Sequence, residues 1–491
     1  MTERTTRPPG RQLAIVLAVV LACQLMVGID TTIVNIALPD IQTQLHFSQT
    51  GLAWVFNGYT LAFGGLLLLG GRAGDLLGRR RMFTFGVVVF TAASLLGGLA
   101  TASWWLVAAR VLQGVGGAMA SPNVLALIMA NYEDGPKRTK ALSVFAVVTS
   151  ASLALGLLVG GVLTSAGSWR WVFFVNVPIG LAILVLTPMF VQETETHRGK
   201  FDLAGAITAT AGIAGLAYGV IRTATSGWGD PVTIVVFVAA VLLLAGFTVL
   251  ESRAEQPIMP LRLFADRRRA AAYVNTLLVP CTIFAVIYFL AQYLQEGFGY
   301  GPLESGFAFL PMTVVLMGVV RLVGRLIKRW GTRPVMAVGI TFVTAALLWL
   351  TQLSGDSGYL TNVLGPLVLL GIGAGLTTVA LSVTSLSGVR REDSGAGAGL
   401  FQTLQWSSWS LGLAVLVTVY HQAAAEGSGA ADSLARGTSS AFVGASVIAV
   451  LALLSTLIFV RSAIQPGAAA APASAPVDKA PSAKAAARGQ D

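Results

Sequence analysis

The sequence predicts an all-α polytopic membrane protein, and three observations carry that prediction. Of its 491 residues, 55% are hydrophobic and only 11% are charged, where a soluble globular chain carries about 25% charged residues. Apolar stretches about 20 residues long recur along nearly the whole chain, the length a helix needs to cross the hydrocarbon core. Such stretches are too long for outer-membrane barrel strands, which alternate over about 10 residues. The 55 glycines suit helices that pack closely in lipid.

Taken in order, the first span runs over 13–38. It holds the run "LAIVLAVVLACQLMV" and then "GIDTTIVNIALPD", with Pro39 and Asp40 placed to end it. It is too long to be a removed signal peptide, and no small-residue cleavage site follows it. Spans two to six are expected at 51–70, 81–100, 104–130, 139–166 and 170–190. Two more follow at 202–222 and 231–250, then six at 270–295, 305–328, 333–353, 360–385, 395–420 and 440–461. The charges between them alternate in sign of face. One face takes the N-terminus and the loops with Arg72 and Arg79–Arg81, Lys137 to Lys140, Arg198 and Lys200, Arg253 to Arg269, Arg325 to Arg333, Arg390 and Arg391, and the C-terminal tail. That face holds 27 of the 32 Lys and Arg; the other holds only Arg170, Arg222 and Arg436, and Arg110 and Arg321 lie within spans.

This asymmetry is a positive-inside signal. It predicts a bacterial cytoplasmic membrane protein with both termini cytoplasmic, residues 1–12 at one end and a low-complexity, disordered tail over 466–491 at the other. The net charge of +10 is then matched by the anionic inner leaflet and requires no nucleic acid partner. Cys23 and Cys281 both lie in apolar runs and are expected as buried free thiols. No phosphate-binding Gly-rich loop ending in Lys-Ser/Thr exists, so no ATP use is expected. The three histidines lack metal-ligand spacing, and no metal, cofactor or enzymatic activity is expected.

An internal repeat organises the spans. The loop after the second span reads "GGRAGDLLGRRRMF" (70–83), and that after the tenth reads "GRLIKRWGTRPV" (324–335). This self-similarity at corresponding places suggests parallel repeats. Two six-helix halves are expected, 13–190 and 270–461, with an inserted two-helix linker at 202–250.

Four stretches now resemble known motifs in their order and spacing: "GIDTTIVNIALP" (28–39), "GGRAGDLLGRRR" (70–81), "LVAARVLQGVGGA" (106–118), and "LGLLVGGVL" with "SWRWVFFVNVPIG" (155–180). The chain resembles the major facilitator superfamily, in its fourteen-helix drug:proton antiporter branch. The resemblance implies the major facilitator fold, alternating access, and an inter-half conformational switch at Gly71, Asp75, Gly78, Arg79 and Arg80. It also implies an antiporter-motif hinge at Gly156, Gly160 and Gly161, for which simple close packing is the alternative. Leu157 stands where that motif usually has proline, and Lys328 where the second loop copy often has an acid.

Asp30 is the one acidic residue deep within a span, and burying a carboxylate in hydrocarbon is costly unless it is paired. Arg110 sits at similar depth in span four, which predicts an ion pair. Two opposed forces act on such a carboxylate: burial favours its neutral form and a guanidinium its charged form. A proton-coupling set of Asp30, Arg110 and Gln113 follows, with a static brace as the alternative. Arg110, Gln113, Gly114 and Gly117 share one helical face. Substrate-binding candidates are Gln24, Thr31 and Asn35 on span one, Tyr288 and Gln292 on span nine, and Gln402, Gln405, Trp406 and Trp409 on span thirteen. Amides and aromatics suit an amphipathic ligand. The expected function is proton-coupled antiport that exports small amphipathic drugs or antibiotics, by a monomer. Export of one endogenous natural product is the main alternative, and proton symport for uptake a lesser one.

Overall fold

The computed structural model describes residues 10–132, 136–193, 203–253, 259, 261–353, 357–389 and 394–460. Among them the chain is helical and contains no strand. The helices are α1 (Gly10–Leu45), α2 (Gln49–Leu77), α3 (Arg79–Gly98), α4 (Ser103–Asn131), α5 (Pro136–Ser165), α6 (Trp171–Phe174), α7 (Asn176–Phe190), α8 (Leu203–Ser226) and α9 (Pro231–Arg253). They continue with α10 (Arg267–Gln292), α11 (Pro302–Ala308), α12 (Leu310–Trp330), α13 (Thr332–Leu350), α14 (Leu364–Leu386), α15 (Ser394–Ala424) and α16 (Ala430–Phe459). Single π-turns cover Tyr293–Gly297 and Tyr359–Val363.

Ten helices among the described residues are long and apolar enough to cross a membrane, some of them formed by consecutive elements such as α6 with α7. An eleventh is α2, if the two parts of its 49° bend count as one span. The chain is thus an all-helical, multi-pass membrane protein. The expected disordered tail and the expected loops around 133–135, 194–202, 390–393 and beyond 460 lie outside the described residues.

One expected boundary is wrong. Helix α1 does not stop at Pro39 but carries it inside and continues to Leu45. Proline removes one donor from the helical ladder, yet α1 runs on beyond it to Leu45.

Helices α1–α7 pack chiefly on one another, as do α10 and α12–α16, while α11 packs chiefly on α5 and α8 pairs with α9. The loop repeat has a structural counterpart. Gly78 (φ +105°) joins α2 to α3 and Gly331 (φ +84°) joins α12 to α13, a backbone region that glycine enters without a Cβ penalty. Helix α8 lies across the seam where α2 meets α15. There Thr418 Oγ1 donates to the Val220 carbonyl (3.0 Å), and the rings of Trp54 and Tyr218 lie 6.0 Å apart. Between α8 and α9, Asp230 accepts from Arg222 Nε (2.8 Å) and from Thr233 N (2.9 Å). Those bonds hold its carboxyl down at about 2.

The second seam joins α5 to α11 at the end of the bundle remote from the arginine-rich turns. The Pro302 carbonyl and Leu303 Cα occupy the place a Cβ on Gly161 would take, and the Leu157 carbonyl crowds Gly306 in the same way. Gln295 Nε2 donates to the Ile36 carbonyl (3.0 Å) at that same end. Further along α12, Gly318 and Gly324 have open space beside them, and Arg321 and Leu322 are exposed.

Candidate functional site

Close helix approach builds the site. Gly114 of α4 lies against the Tyr59 carbonyl and Ala62 of α2, and Gly117 against the Phe63 ring. On the other side of α1, Gly156 and Gly160 of α5 pack on the Ile29 and Ile33 carbonyls. Small residues of this kind let membrane helices approach closely, so α1, α2 and α4 converge on one buried point. Helix α7 reaches it as well, because α6 ends at Phe174 and α7 starts at Asn176.

At that point Asp30 and Arg110 are both fully buried. Arg110 Nη1 donates to Asp30 Oδ2 (2.5 Å) and to Gln113 Oε1 (3.0 Å). Arg110 Nε donates to the Val55 carbonyl of α2 (2.8 Å). Asp30 Oδ1 accepts from Gln113 Nε2 (3.0 Å) and from Asn176 Nδ2 (2.9 Å). Gln113 Nε2 also donates to Ser94 Oγ of α3 (2.8 Å). The guanidinium carbon lies 4.3 Å from the centroid of the Tyr59 ring. Both carboxylate oxygens are therefore satisfied by donors from α4 and α7. Charge-assisted bonds of this kind are the strong ones, and they offset part of the desolvation of two buried charges, Arg110 Nη2 being left without a hydrogen-bond partner.

The structure thus brings Asp30, Arg110 and Gln113 together. Asn176, Ser94, Tyr59 and the Val55 carbonyl were missed in the sequence. For Asn176 a signal existed, since it is a lone amide in the apolar stretch "FVNVPIG".

A cavity of about 220 Å³ lies beside this cluster. Its walls include Thr31 and Thr32 of α1, Thr276 and Phe284 of α10, Thr313 of α12, Thr378 of α14, and Gln405 and Trp409 of α15. The rest of the lining is apolar, and no charged side chain among the described residues takes part. Thr31 adjoins Asp30 in sequence, so the cavity wall and the carboxylate are carried by the same stretch of α1.

Of the substrate-binding candidates, Thr31, Gln405 and Trp409 line this cavity. The others sit elsewhere. Gln24 accepts from Ser121 Oγ of α4 (3.3 Å). Asn35 turns back onto the Thr32 carbonyl (3.3 Å). Tyr288 is buried against Phe289, and Gln292 donates to the Tyr288 carbonyl (3.4 Å). Gln402 is exposed. Trp406 packs between Phe63 and Tyr59 at the α2–α15 seam.

The switch motif is stitched into its own helix group. Asp75 accepts from Arg79 Nη2 (3.0 Å) and Nε (3.2 Å), and Arg79 Nη1 reaches the Ala126 carbonyl at the end of α4 (3.3 Å). Glu193, after α7, caps the start of α3 by accepting from Arg80 N (3.0 Å) and Arg81 N (3.2 Å), where a helix N-terminus favours negative charge. Its carboxylate lies beside Gly78, while Gly71 faces Pro122 of α4. Among the described residues no three His, Cys, Asp or Glu side chains gather in a way that would hold a metal ion.

Comparison with known proteins adds to this geometry. The sequence model of the Major Facilitator Superfamily matches residues 20–413. The chain is 39% identical to a cephamycin export protein of Amycolatopsis lactamdurans, over 88% of this chain and 89% of that one. It is 38% identical to a puromycin resistance protein of Streptomyces alboniger, over 82% and 81%. It is 34% identical to a lincomycin resistance protein of Streptomyces lincolnensis, over 92% and 93%. Among solved structures, a peptide transporter aligns with a TM-score of 0.65 at 14% identity, over 90% of this chain and 93% of that one. A bacterial homologue of the human lysosomal transporter Spinster, in an inward-facing conformation, aligns with a TM-score of 0.63 at 17% identity, over 92% and 98%. These two likenesses concern the fold.

Proposed function

The chain belongs to the major facilitator superfamily, and from that premise we propose that it exports amphipathic drugs or antibiotics in exchange for protons. One observation carries the reading: a fully buried carboxylate, Asp30, held by Arg110, Gln113 and Asn176, sits on the same stretch of α1 that supplies Thr31 and Thr32 to the wall of a cavity. A proton on Asp30 would remove the charge that binds Arg110, so the cluster has two distinct electrostatic states. The cavity walls offer hydroxyls, one amide and aromatic faces, which suit a greasy ligand with few polar groups. Relatives named for export of, or resistance to, different antibiotics support the same reading.

In this reading the chain has fourteen spans, as two six-helix halves and the inserted pair α8–α9, with both termini and the arginine-rich turns in the cytoplasm. The α5–α11 contact then closes the outer side and the state is inward-facing. Asp75, Arg79 and Arg80 form their inter-half contact only in the opposite state, with Gly156, Gly160 and Gly161 accommodating the movement. The protein acts as a monomer.

The test is transport in everted vesicles. Addition of a lipophilic antibiotic should dissipate an acid-inside gradient with the wild type and not with Asp30→Asn. Uphill export by Asp30→Asn would sink the proton assignment. A second reading, export of one endogenous natural product, is favoured by relatives each named for a single antibiotic. A resistance profile confined to one compound class would select it.

A further inference from the structure

A row of aromatic side chains joins the buried carboxylate to the cavity across the seam between α2 and α15. The Arg110 guanidinium rests on the Tyr59 ring. Tyr59 meets Trp406 edge-on, with centroids 5.9 Å apart at 69°. Trp406 meets Trp409 at 4.7 Å. Trp409 lines the cavity and stacks on Phe284 at 5.6 Å. Trp406 has no slack: Phe63 lies 4.1 Å from it, and its Cβ fills the place a side chain on Gly64 would take.

We propose that Tyr59 and Trp406 are positioning residues that couple occupancy of the cavity to protonation of Asp30. The proposal rests on the antiporter reading above. With Asp30 ionised, the Arg110 charge is shared between the carboxylate and the ring face. When Asp30 takes a proton from water, its negative charge is gone and the Tyr59 face is the charge-complementary surface left beside the guanidinium. The preferred seat of Arg110 on Tyr59 therefore differs between the two states. Trp406, packed between Tyr59 and Trp409, carries that difference to the cavity wall. A ligand seated on Trp409 favours one arrangement and hence one protonation state. Linkage makes the effect reciprocal: whatever the proton does to the ligand, the ligand does to the proton. Tyr59 and Trp406 exchange no proton themselves.

The charged and titratable groups facing this link are few. Helix α4 supplies Arg110, α2 Tyr59, and α1 Asp30 and Cys23. Helices α3 and α7 present Ser94 and Asn176, and α15 presents Trp406 and Gln405, none of them charged. The Tyr59 hydroxyl lies near Thr31 of α1 without a well-aligned hydrogen bond, so the ring is taken as the acting part and Phe, which keeps the ring, is the conservative replacement.

The experiment measures ethidium affinity of the purified protein between pH 5.5 and pH 8.5. Wild-type affinity should weaken by about fivefold or more toward low pH, a typical coupling, and Asp30→Asn should be flat. Tyr59→Phe should keep the wild-type response. Tyr59→Leu and Trp406→Leu should bind ethidium with less than about twofold dependence on pH. Trp406→Leu reads the link from its other end if Tyr59→Leu does not fold. A full pH response in either Leu variant overturns the coupling while leaving the antiporter reading intact. A wild type whose ethidium binding ignores pH overturns both.

Discussion

Arg110 Nη1 lies 2.5 Å from Asp30 Oδ2, eighty residues away in the chain, and neither side chain has any exposed surface. Two charges buried this completely depend on one another. Removing one leaves the other uncompensated, which costs about 3–5 kcal/mol. Removing both together avoids that penalty.

The first prediction follows. Asp30→Asn and Arg110→Gln should each lower the Tm of the protein in detergent. The double variant should be less destabilised than the sum of the two by at least about 1 kcal/mol. All three should lose proton-driven export. Strict additivity of the Tm losses would show that the pair is not energetically coupled.

Asn176 supplies the second. Its amide donates to Asp30 Oδ1 at 2.9 Å, and removing it leaves part of a buried carboxylate without a partner. Asn176→Ala should cost about 1–3 kcal/mol of stability, read as a lower Tm, and weaken proton-driven export. A variant with wild-type Tm and wild-type export would remove Asn176 from the coupling machinery.

The α5–α11 seam supplies the third. A side chain on Gly161 would strike the Pro302 carbonyl, so Gly161→Val should slow transport about tenfold or more by opposing closure of that seam, since overpacking costs about 1–3 kcal/mol. Gly318→Ala, placed in open space, should leave transport unchanged and gain up to about 1 kcal/mol. Equal transport rates in the two variants would contradict the role of the seam.

A fourth concerns pH and the α8–α9 hairpin. The bonds from Arg222 and then Thr233 hold the Asp230 carboxyl at about 2, against its ordinary 3.8. A lowered folded value means the contribution is complete above the unfolded value and is lost as pH falls through the folded one. The Tm difference between wild type and Asp230→Ala should therefore be constant at neutral pH, shrink below about pH 4 and be lost only as pH falls below about 2. A difference that persists undiminished at pH 2 would rule out this link.

Much of the candidate site was legible because the membrane makes polar residues conspicuous. Asp30 and Arg110 stand out in apolar runs, and a cost that only pairing relieves predicts their meeting. Gln113 shares a helical face with Arg110, so it followed from the period of the helix. Asn176 was less visible because an amide carries no charge and asparagine also serves at helix starts. Tyr59 was less visible still, since an aromatic in an apolar helix looks like ordinary packing. The substrate candidates divided for a similar reason. Spacing placed Gln402, Gln405, Trp406 and Trp409 on one face of α15, yet Gln402 is exposed, Trp406 faces α2 and Trp409 faces the cavity. A helix face is broad enough to touch both a neighbouring helix and a cavity, and periodicity does not say where one ends.

By itself the sequence determined that this is an all-helical membrane protein, because hydrocarbon admits backbone only when its polar groups are satisfied within the segment. It also determined which ionised side chains must find partners, because an unpaired charge at that depth is too costly. The tertiary structure decided what the partners surround. Glycine contacts between α1, α5, α2 and α4 set how near the helices come, and that nearness places Asn176, Tyr59 and a carbonyl of α2 on the ion pair. It also decided that α1 continues past Pro39 and that α8 braces the α2–α15 seam. Those outcomes depend on contacts between segments far apart in the chain, which no local pattern of residues encodes.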